Sequence, residues 1–250
     1  MAGGGLAVVL ALDHAGSLTP AMLQPFAEEI WLADGPTTDV AGFHYPTRMA
    51  VIRLAGGALF VWSPVALTPD LRAAVDALGV VRFVIAPNSL HHLFLADWRG
   101  AYPAARLHAP PGLRPRRRDV DFDGDLDDGP APEWADDIDQ VMVRGNVITT
   151  EVVFFHKASG TVIFTDLIQH FGPRWFSGWR AVVARLDLMT APAPEVPRKF
   201  RTAFFDRGAA RAAVRRILAW PARRVVMAHA APVEDGGRAF IVRAFRWLRV

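Results

Sequence analysis

Two short runs of the chain, residues 81–86 and 225–228, consist almost entirely of apolar side chains. Strands of this kind are typically buried on both faces, so they need a sheet with other layers packed on each side. Each run follows a predicted hairpin and a predicted helix, and the two halves of the chain therefore share one order of elements. We predict a mixed α/β (α+β) fold in which sheets lie between helices.

Turn and capping residues define the hairpins and helices. Residues 48–54 and 58–62 predict two strands joined at Gly56-Gly57, and residues 150–155 and 161–165 predict a second hairpin. Thr68 is expected to cap a helix with Pro69 at its first position. Asp206 is expected to cap a later helix that ends before Pro221.

The remaining segments give weaker patterns. Residues 30–32 predict a short strand that ends at the turn Asp34-Gly35-Pro36, and residues 105–108 predict another strand. We expect His91-His92 to lie in the first turn of a helix. Residues 114–139 are rich in Pro, Asp and Arg, and we interpret them as a surface excursion.

Composition limits the chemistry. The chain has 250 residues, of which 52% are hydrophobic, and this composition excludes intrinsic disorder of the chain as a whole. It has no cysteine, so disulfide scaffolds, thiolate zinc sites, iron–sulfur clusters and cysteine nucleophiles are excluded. Any metal must be held by histidine, carboxylate or carbonyl groups.

Charge and hydropathy indicate which partners to expect. The net charge is only +3, and the basic residues are scattered among the acidic ones apart from residues 114–118. We therefore expect a small-molecule ligand and no nucleic-acid partner. The apolar run at residues 6–12 is too short for a membrane span and lacks the basic start of a signal peptide, so a cytoplasmic protein without a membrane contact is expected. We interpret residues 1–24 as an extension and residues 25–250 as one domain.

Histidine and aspartate side chains directly follow three of the predicted strands. His91-His92 follows residues 81–86, Asp166 follows residues 161–165, and His229 follows residues 225–228. Strand ends are where α/β proteins assemble sites, because side chains from distant segments meet at one edge of a rigid sheet. Imidazole and carboxylate groups together suit zinc or iron.

The order of these elements and side chains resembles the metallo-β-lactamase superfamily, and more narrowly a metallo-β-lactamase-like family of unknown function. The segments that carry the resemblance are residues 30–36, 47–67, 86–98, 151–170, 197–200 and 225–232. The resemblance implies a four-layer αββα sandwich. The superfamily motif T-H-x-H-x-D-H corresponds to residues 86–92, so His91 takes the place of the motif's aspartate and His92 that of its last histidine.

The resemblance also implies which of the superfamily's two metal sites survives. The ligands of the first site are replaced by Pro87, Ser89 and the tripeptide Arg144-Gly145-Asn146. Every ligand position of the second site keeps a competent side chain, namely His91, His92, Asp166 and His229. The implied protein is a hydrolase-like one with one divalent metal, zinc in preference to iron, acting on an ester, lactone or amide. Asp166 would then also orient a water, and Asn88 would donate to a substrate oxyanion.

Other interpretations of the same residues stay open. Adjacent histidines on a helix point about 100° apart, so one of the pair could bond the backbone instead of a metal. Asp166 could be an ordinary helix cap. The alternative function is a non-catalytic descendant of the fold that binds a ligand or a partner protein. The apolar last helix, which begins near Gly237, is compatible with a homodimer.

The predicted hairpin also indicates where His156 and Glu151 lie relative to Asp166. His156 lies beside the hairpin turn, some 15–20 Å from Asp166, and cannot share a metal with it. Glu151 is expected to be the cross-strand neighbour of Asp166. We expect the Trp175, Phe176 and Trp179 cluster to form core or pocket wall.

Overall fold

The computed structural model describes residues 22–250. Their strands form two sheets. The first sheet has seven strands in chain order, antiparallel from β1 to β4 and parallel from β4 to β7. These strands are β1 (Gln24–Ala27), β2 (Ile30–Val40), β3 (Phe43–Arg53), β4 (Ala58–Trp62), β5 (Val80–Ile85), β6 (Arg106–Ala109) and β7 (Gly124–Asp125).

The second sheet has four strands in the order β11-β10-β9-β8. They are β8 (Ile138–Val143), β9 (Glu151–His156), β10 (Thr161–Gln169) and β11 (Arg224–His229). The hairpin of β9 and β10 is antiparallel, with Thr161 opposite His156, whereas β10 and β11 run parallel. The ends of β10 and β11 therefore meet at one edge of this sheet, as the sequence predicts.

Six α-helices flank the sheets: α1 (Pro69–Asp76), α2 (Leu95–Ala101), α3 (Gly178–Leu186), α4 (Arg198–Ala203), α5 (Arg207–Ala219) and α6 (Gly237–Ala244). The predicted caps are confirmed. The Thr68 side chain accepts a hydrogen bond from the Leu71 N–H, and the Asp206 side chain accepts one from the Ala209 N–H. Among residues 22–250, no helix is long and apolar enough to cross a membrane.

Apolar side chains define the layers. Between the sheets, Phe60 and Trp62 of the first sheet pack in one core with Phe154 and Ile163 of the second. Helices α1 and α2 cover the outer face of the first sheet, and α4, α5 and α6 cover that of the second. The result is the αββα sandwich that the resemblance implies, and it confirms the predicted fold class.

Some local predictions are wrong, for physical reasons. Strand β2 does not end at Asp34-Gly35-Pro36 but continues to Val40, because a register shift between Gly35 and Thr38 accommodates the proline, which has no N–H to donate. Helix α2 begins only at Leu95, so His91-His92 lie in an irregular turn. Residues 114–139 are not wholly a surface excursion, since Leu126 and Trp134 are buried in the core between the sheets. Of the predicted extension, residues 1–21 lie outside the described part, and residue 24 begins β1.

Candidate metal centre

His91, Asp166 and His229 meet in one cluster. His229 ends β11, whereas Asp166 lies within β10, because this strand does not end at residue 165 as predicted but continues to Gln169. The Nε2 atoms of the two histidines are 3.3 Å apart. His91 Nε2 lies 3.3 Å from Asp166 Oδ2, and His229 Nε2 lies 3.2 Å from Asp166 Oδ1. Asp166 and His229 are buried, and His91 is partly buried. The structure therefore brings together three of the four predicted ligands.

The histidine rings are fixed from behind, through their Nδ1 atoms. His229 Nδ1 donates to the Pro46 carbonyl oxygen at 2.8 Å, and His91 Nδ1 lies 2.8 Å from the Ser63 hydroxyl. A partner on one ring nitrogen sets the orientation and tautomer of an imidazole, which is the usual arrangement around a metal-binding histidine. Both Nε2 atoms are consequently directed at Asp166.

Two amide side chains hold the Asp166 carboxylate. Asn88 Nδ2 donates to Oδ2 at 2.8 Å, and Gln169 Nε2 donates to Oδ1 at 3.3 Å. Burial opposes the charge, but the facing His91 and His229 rings hold the pKa of Asp166 well below its ordinary value. Asp166 is therefore an anion with both oxygens constrained in direction.

A second buried carboxylate, Glu151, supports the strand that carries Asp166. It accepts hydrogen bonds from the backbone N–H groups of Thr165, Asp166 and Leu167 at 2.7–3.1 Å. Burial and then the Asp166 charge raise the pKa of Glu151 to about 7, against the effect of these three donors. The predicted position of Glu151 across the hairpin from Asp166 is confirmed, and its contacts fix the local path of β10.

The donor set fits a cation. His229 donates its Nδ1 proton to the Pro46 carbonyl oxygen, so the lone pair of the neutral ring is on Nε2, the atom that faces the Asp166 carboxylate. Two acceptors at 3.2 Å repel each other unless a positive charge lies between them. Tetrahedral zinc ligands at about 2.1 Å from the ion are about 3.4 Å apart. The three measured separations, 3.2–3.3 Å, agree with that spacing.

His92 does not join the cluster. Its Nδ1 lies 3.2 Å from Arg117 Nη1, which also donates to the His92 carbonyl oxygen. Burial, then the charges of Arg117 and Arg116, lower the pKa of His92 to about 4. The adjacent histidines thus turn to different partners, which is the outcome expected from the divergence of neighbouring side chains.

Asn88 is also not placed as predicted. Its side chain is fully buried. The Oδ1 atom accepts from the N–H groups of Leu90 and His91, while Nδ2 donates to Asp166. Nδ2 also donates to Glu151 Oε2 at 3.5 Å, so no donor is left to point at a substrate oxygen, and Asn88 positions both Asp166 and the turn that carries His91.

The other histidines within residues 22–250 lie outside the cluster. His156 bonds the Ser159 hydroxyl beside the hairpin turn, which confirms that it is remote from Asp166. The Phe176 side chain packs in a small core next to Phe43, as expected for a wall residue, whereas Trp179 is largely exposed. Sequence reasoning missed Ser63, Gln169 and the Pro46 carbonyl. Of these three, only Gln169 could have been suspected from the sequence, because it lies three residues after Asp166 on the same strand.

The positions of the lost first site are filled by other contacts. Ser89 Oγ lies 3.3 Å from Thr149 Oγ1, and Asn146 Nδ2 donates to the Phe200 carbonyl oxygen at 2.9 Å. Pro87 accepts a hydrogen bond from Val152 through its backbone oxygen. The Ser89 and Asn146 side chains are neutral and have hydrogen-bond partners of their own. Among the described residues, His91, Asp166 and His229 therefore form a single cluster of metal-ligand type.

A cavity of about 720 Å³ opens onto the cluster. His91, Asp166 and His229 form part of its wall, and much of the rest comes from the β2–β3 hairpin, residues 90–94 and residues of α3 and α4. Cavities of this size accommodate small molecules. The cluster is therefore accessible to a ligand from one side.

Comparison with protein-family models shows to which family the chain belongs. A family model described as "Domain of unknown function (DUF4336)" matches residues 27–174, more than half of the chain. The chain belongs to the DUF4336 family. No curated protein matches the sequence.

Solved structures similar to this DUF4336 protein have the metallo-β-lactamase fold. The metallo-β-lactamase FIM-1 from Pseudomonas aeruginosa, in its mono-zinc form, has a TM-score of 0.63 at 11% identity, over 92% of this chain and 96% of that one. A metallo-β-lactamase from Erythrobacter litoralis has a TM-score of 0.63 at 16% identity, over 93% and 98%. The metal-soaked Flv1 flavodiiron core from Synechocystis sp. PCC6803 has a TM-score of 0.61 at 13% identity, over 92% of this chain and 61% of that one. At these identities the likeness establishes the fold alone.

Proposed function

We propose that the protein is a hydrolase with one divalent metal, held by His91, Asp166 and His229, that acts on a small ester, lactone or amide. The observation that carries the proposal is the convergence of two fixed imidazole Nε2 atoms and one ionised carboxylate within 3.2–3.3 Å of each other. Their spacing is that of three ligands around one tetrahedral zinc ion.

The number of ligands favours catalysis over a structural role. Structural zinc sites are closed by four protein ligands, whereas catalytic sites keep three and leave a position open. Here three side chains converge at the wall of a cavity, and His92 turns away to Arg117. A zinc ion bound by them would lower the pKa of a bound water toward neutrality.

The chain's own residues supply orientation. Asn88 and Gln169 hold the two oxygens of Asp166, and Pro46 and Ser63 hold the two rings. Such outer contacts fix ligand direction and raise metal affinity. Zinc ahead of iron remains our choice of metal, because two imidazoles and a carboxylate form the donor set of many hydrolytic zinc sites.

Metal analysis of the purified full chain tests the proposal. We expect about one zinc per chain after exposure to zinc and gel filtration, and loss of that zinc in His91→Ala and His229→Ala. His92→Ala is the matched control, since it removes the neighbouring imidazole and should keep the zinc. Equal zinc loss in all three variants, or no zinc in the unaltered protein, contradicts the site.

Turnover separates the enzyme from its alternative. Zinc-loaded protein should hydrolyse at least one member of a panel of aryl esters, lactones and anilides, and His229→Ala should not. Because the first-site ligands are replaced by Pro87, Ser89 and Asn146, the alternative is a descendant of the fold that binds a ligand without turnover. Bound zinc with no hydrolysis across the panel would favour that alternative.

A further inference from the structure

The wall of the cavity is mostly apolar. Side chains from the β2–β3 hairpin, the turn after β5, the loop between β8 and β9, and helices α3 and α4 line it, among them Phe43, Leu93, Phe94, Ile148, Val183 and Phe200. A ligand that fills this volume must bury an apolar body, because hydrocarbon walls offer a polar molecule no hydrogen bonds to replace those with water.

Most charged groups in the wall are already neutralised. Lys199 Nζ contacts Tyr45 Oη at 3.2 Å, Gln169 Oε1 at 3.3 Å and Asp187 Oδ2 at 3.3 Å, so its three donors are in use. Asp39 lies 3.0 Å from His44 Nδ1. Asp166 belongs to the metal cluster. None of these groups is free to bind an ionic ligand.

Arg116 is different. It lines the cavity, and its one hydrogen bond is from Nη1 to the Ser89 carbonyl oxygen at 3.3 Å. Within residues 22–250 it forms no ion pair, unlike the neighbouring Arg117, which pairs with Asp119. A guanidinium has five N–H donors in a planar fork that matches a carboxylate, so most of the donor capacity of Arg116 is unused.

We propose that the cavity selects a small amphipathic carboxylate, with an apolar body against the wall and its anionic group on Arg116. This inference names the substrate class of the proposed hydrolase and rests on that proposal for the reaction, although the binding itself needs only the cavity. The charge balance supports it. Arg116 carries a positive charge in the cavity wall that no carboxylate within residues 22–250 pairs with, so this part of the wall attracts an anion.

Displacement of a neutral dye tests this selection. N-phenyl-1-naphthylamine is bound to the full chain, freed of metal by a chelator, and is displaced either by octanoate or by octan-1-ol. The two ligands have the same chain length and differ in charge. We expect octanoate to displace the dye at an about three- to tenfold lower concentration, the range of a solvent-accessible charged hydrogen bond.

Two pairs of variants locate the binding. Arg116→Gln should reduce the preference for octanoate to about one, whereas Arg118→Gln, which alters an exposed arginine outside the wall, should leave it unchanged. Val183→Asp should weaken binding of dye and of both ligands, whereas Val182→Asp, one residue along α3 and outside the wall, should not. All four changes are at partly or fully exposed side chains, so folding is expected to persist.

Several results would overturn the inference. They are no saturable dye binding, equal displacement by the two ligands, an equal effect of the two arginine variants, or an equal effect of the two valine variants. Zinc content of the same proteins separates this failure from that of the proposed function. Arg116→Gln should bind zinc like the unaltered chain, and a selective cavity in a protein that binds no zinc would contradict only the hydrolase.

Discussion

Replacement of Asn88 tests how the candidate centre is held together. The Asn88 side chain donates to the ionised Asp166 at 2.8 Å and to Glu151 Oε2 at 3.5 Å, and it accepts from two turn N–H groups at 2.9 and 3.2 Å. A bond to a charged group contributes about 1.5–3 kcal/mol and each neutral one about 0.5–1.5 kcal/mol. Because two of the four bonds involve partly buried partners and the bond to Glu151 is long, we expect Asn88→Ala to lower the free energy of unfolding by about 2–4 kcal/mol.

The same change should weaken zinc binding. Removing an outer-shell partner of a metal ligand commonly costs 10–100-fold in metal affinity. We therefore expect the zinc dissociation constant of Asn88→Ala to rise by about that factor. Urea denaturation followed by circular dichroism gives the stability, and competition with a chromogenic chelator gives the affinity.

A second variant, Asn88→Asp, tests the donor to Asp166 separately from the acceptor oxygen. It keeps an oxygen that accepts from Leu90 and His91, but it replaces the donor to Asp166 by a second carboxylate oxygen. We expect a large stability loss without zinc and a smaller one with zinc, because the cation offsets the repulsion of the carboxylates. Zinc affinity within twofold of normal in Asn88→Ala, with stability within about 0.5 kcal/mol, would refute the positioning role.

Three further changes test other parts of the structure. Glu151→Gln should lower the free energy of unfolding, measured by urea denaturation, by about 2–4 kcal/mol. An amide cannot accept hydrogen bonds at both ends, so at least one buried N–H of residues 165–167 loses its partner. Glu133→Gln at the surface is the control. His108 is buried without a hydrogen-bond partner on either ring nitrogen in the described structure, and burial lowers its pKa. Below about pH 6.5 the unfolded chain therefore binds a proton at His108 that the folded chain does not bind. The free energy of unfolding should decrease there by up to about 1.4 kcal/mol per pH unit from this residue. The decrease should be smaller in His108→Leu. Gly35→Ala should destabilise by about 1–3 kcal/mol, because its Cβ would lie 2.5 Å from Thr47 Oγ1, whereas Gly56→Ala meets no atom within 4 Å.

Local patterns in the sequence were sufficient for much of the fold. The apolar runs of β5 and β11, the hairpin of β9 and β10, and the caps at Thr68 and Asp206 depend on residues close together in the chain, and the structure confirms them. The extent of β2 was not predictable in this way. Its continuation past Pro36 depends on pairing with β3 across the bulge.

The candidate centre was also predictable from the sequence only in part. The positions of His91, Asp166 and His229 beside predicted strand ends predicted that they would meet. The structure brings His91, which follows β5 of the first sheet, to Asp166 and His229 on β10 and β11 of the second. The sequence could not decide between His91 and His92, since that depends on the irregular turn and on Arg117, 25 residues later. The roles of Ser63, the Pro46 carbonyl and Asn88 are tertiary contacts that leave no local pattern.

Anomalous X-ray diffraction from a zinc-soaked crystal, with data on both sides of the zinc absorption edge, tests the central claim most directly. The account predicts one strong peak, about 2.0–2.2 Å from His91 Nε2, His229 Nε2 and an Asp166 oxygen, with His92 beyond bonding distance. A peak at His92, two peaks in the cavity, or no peak between the two imidazoles would contradict it.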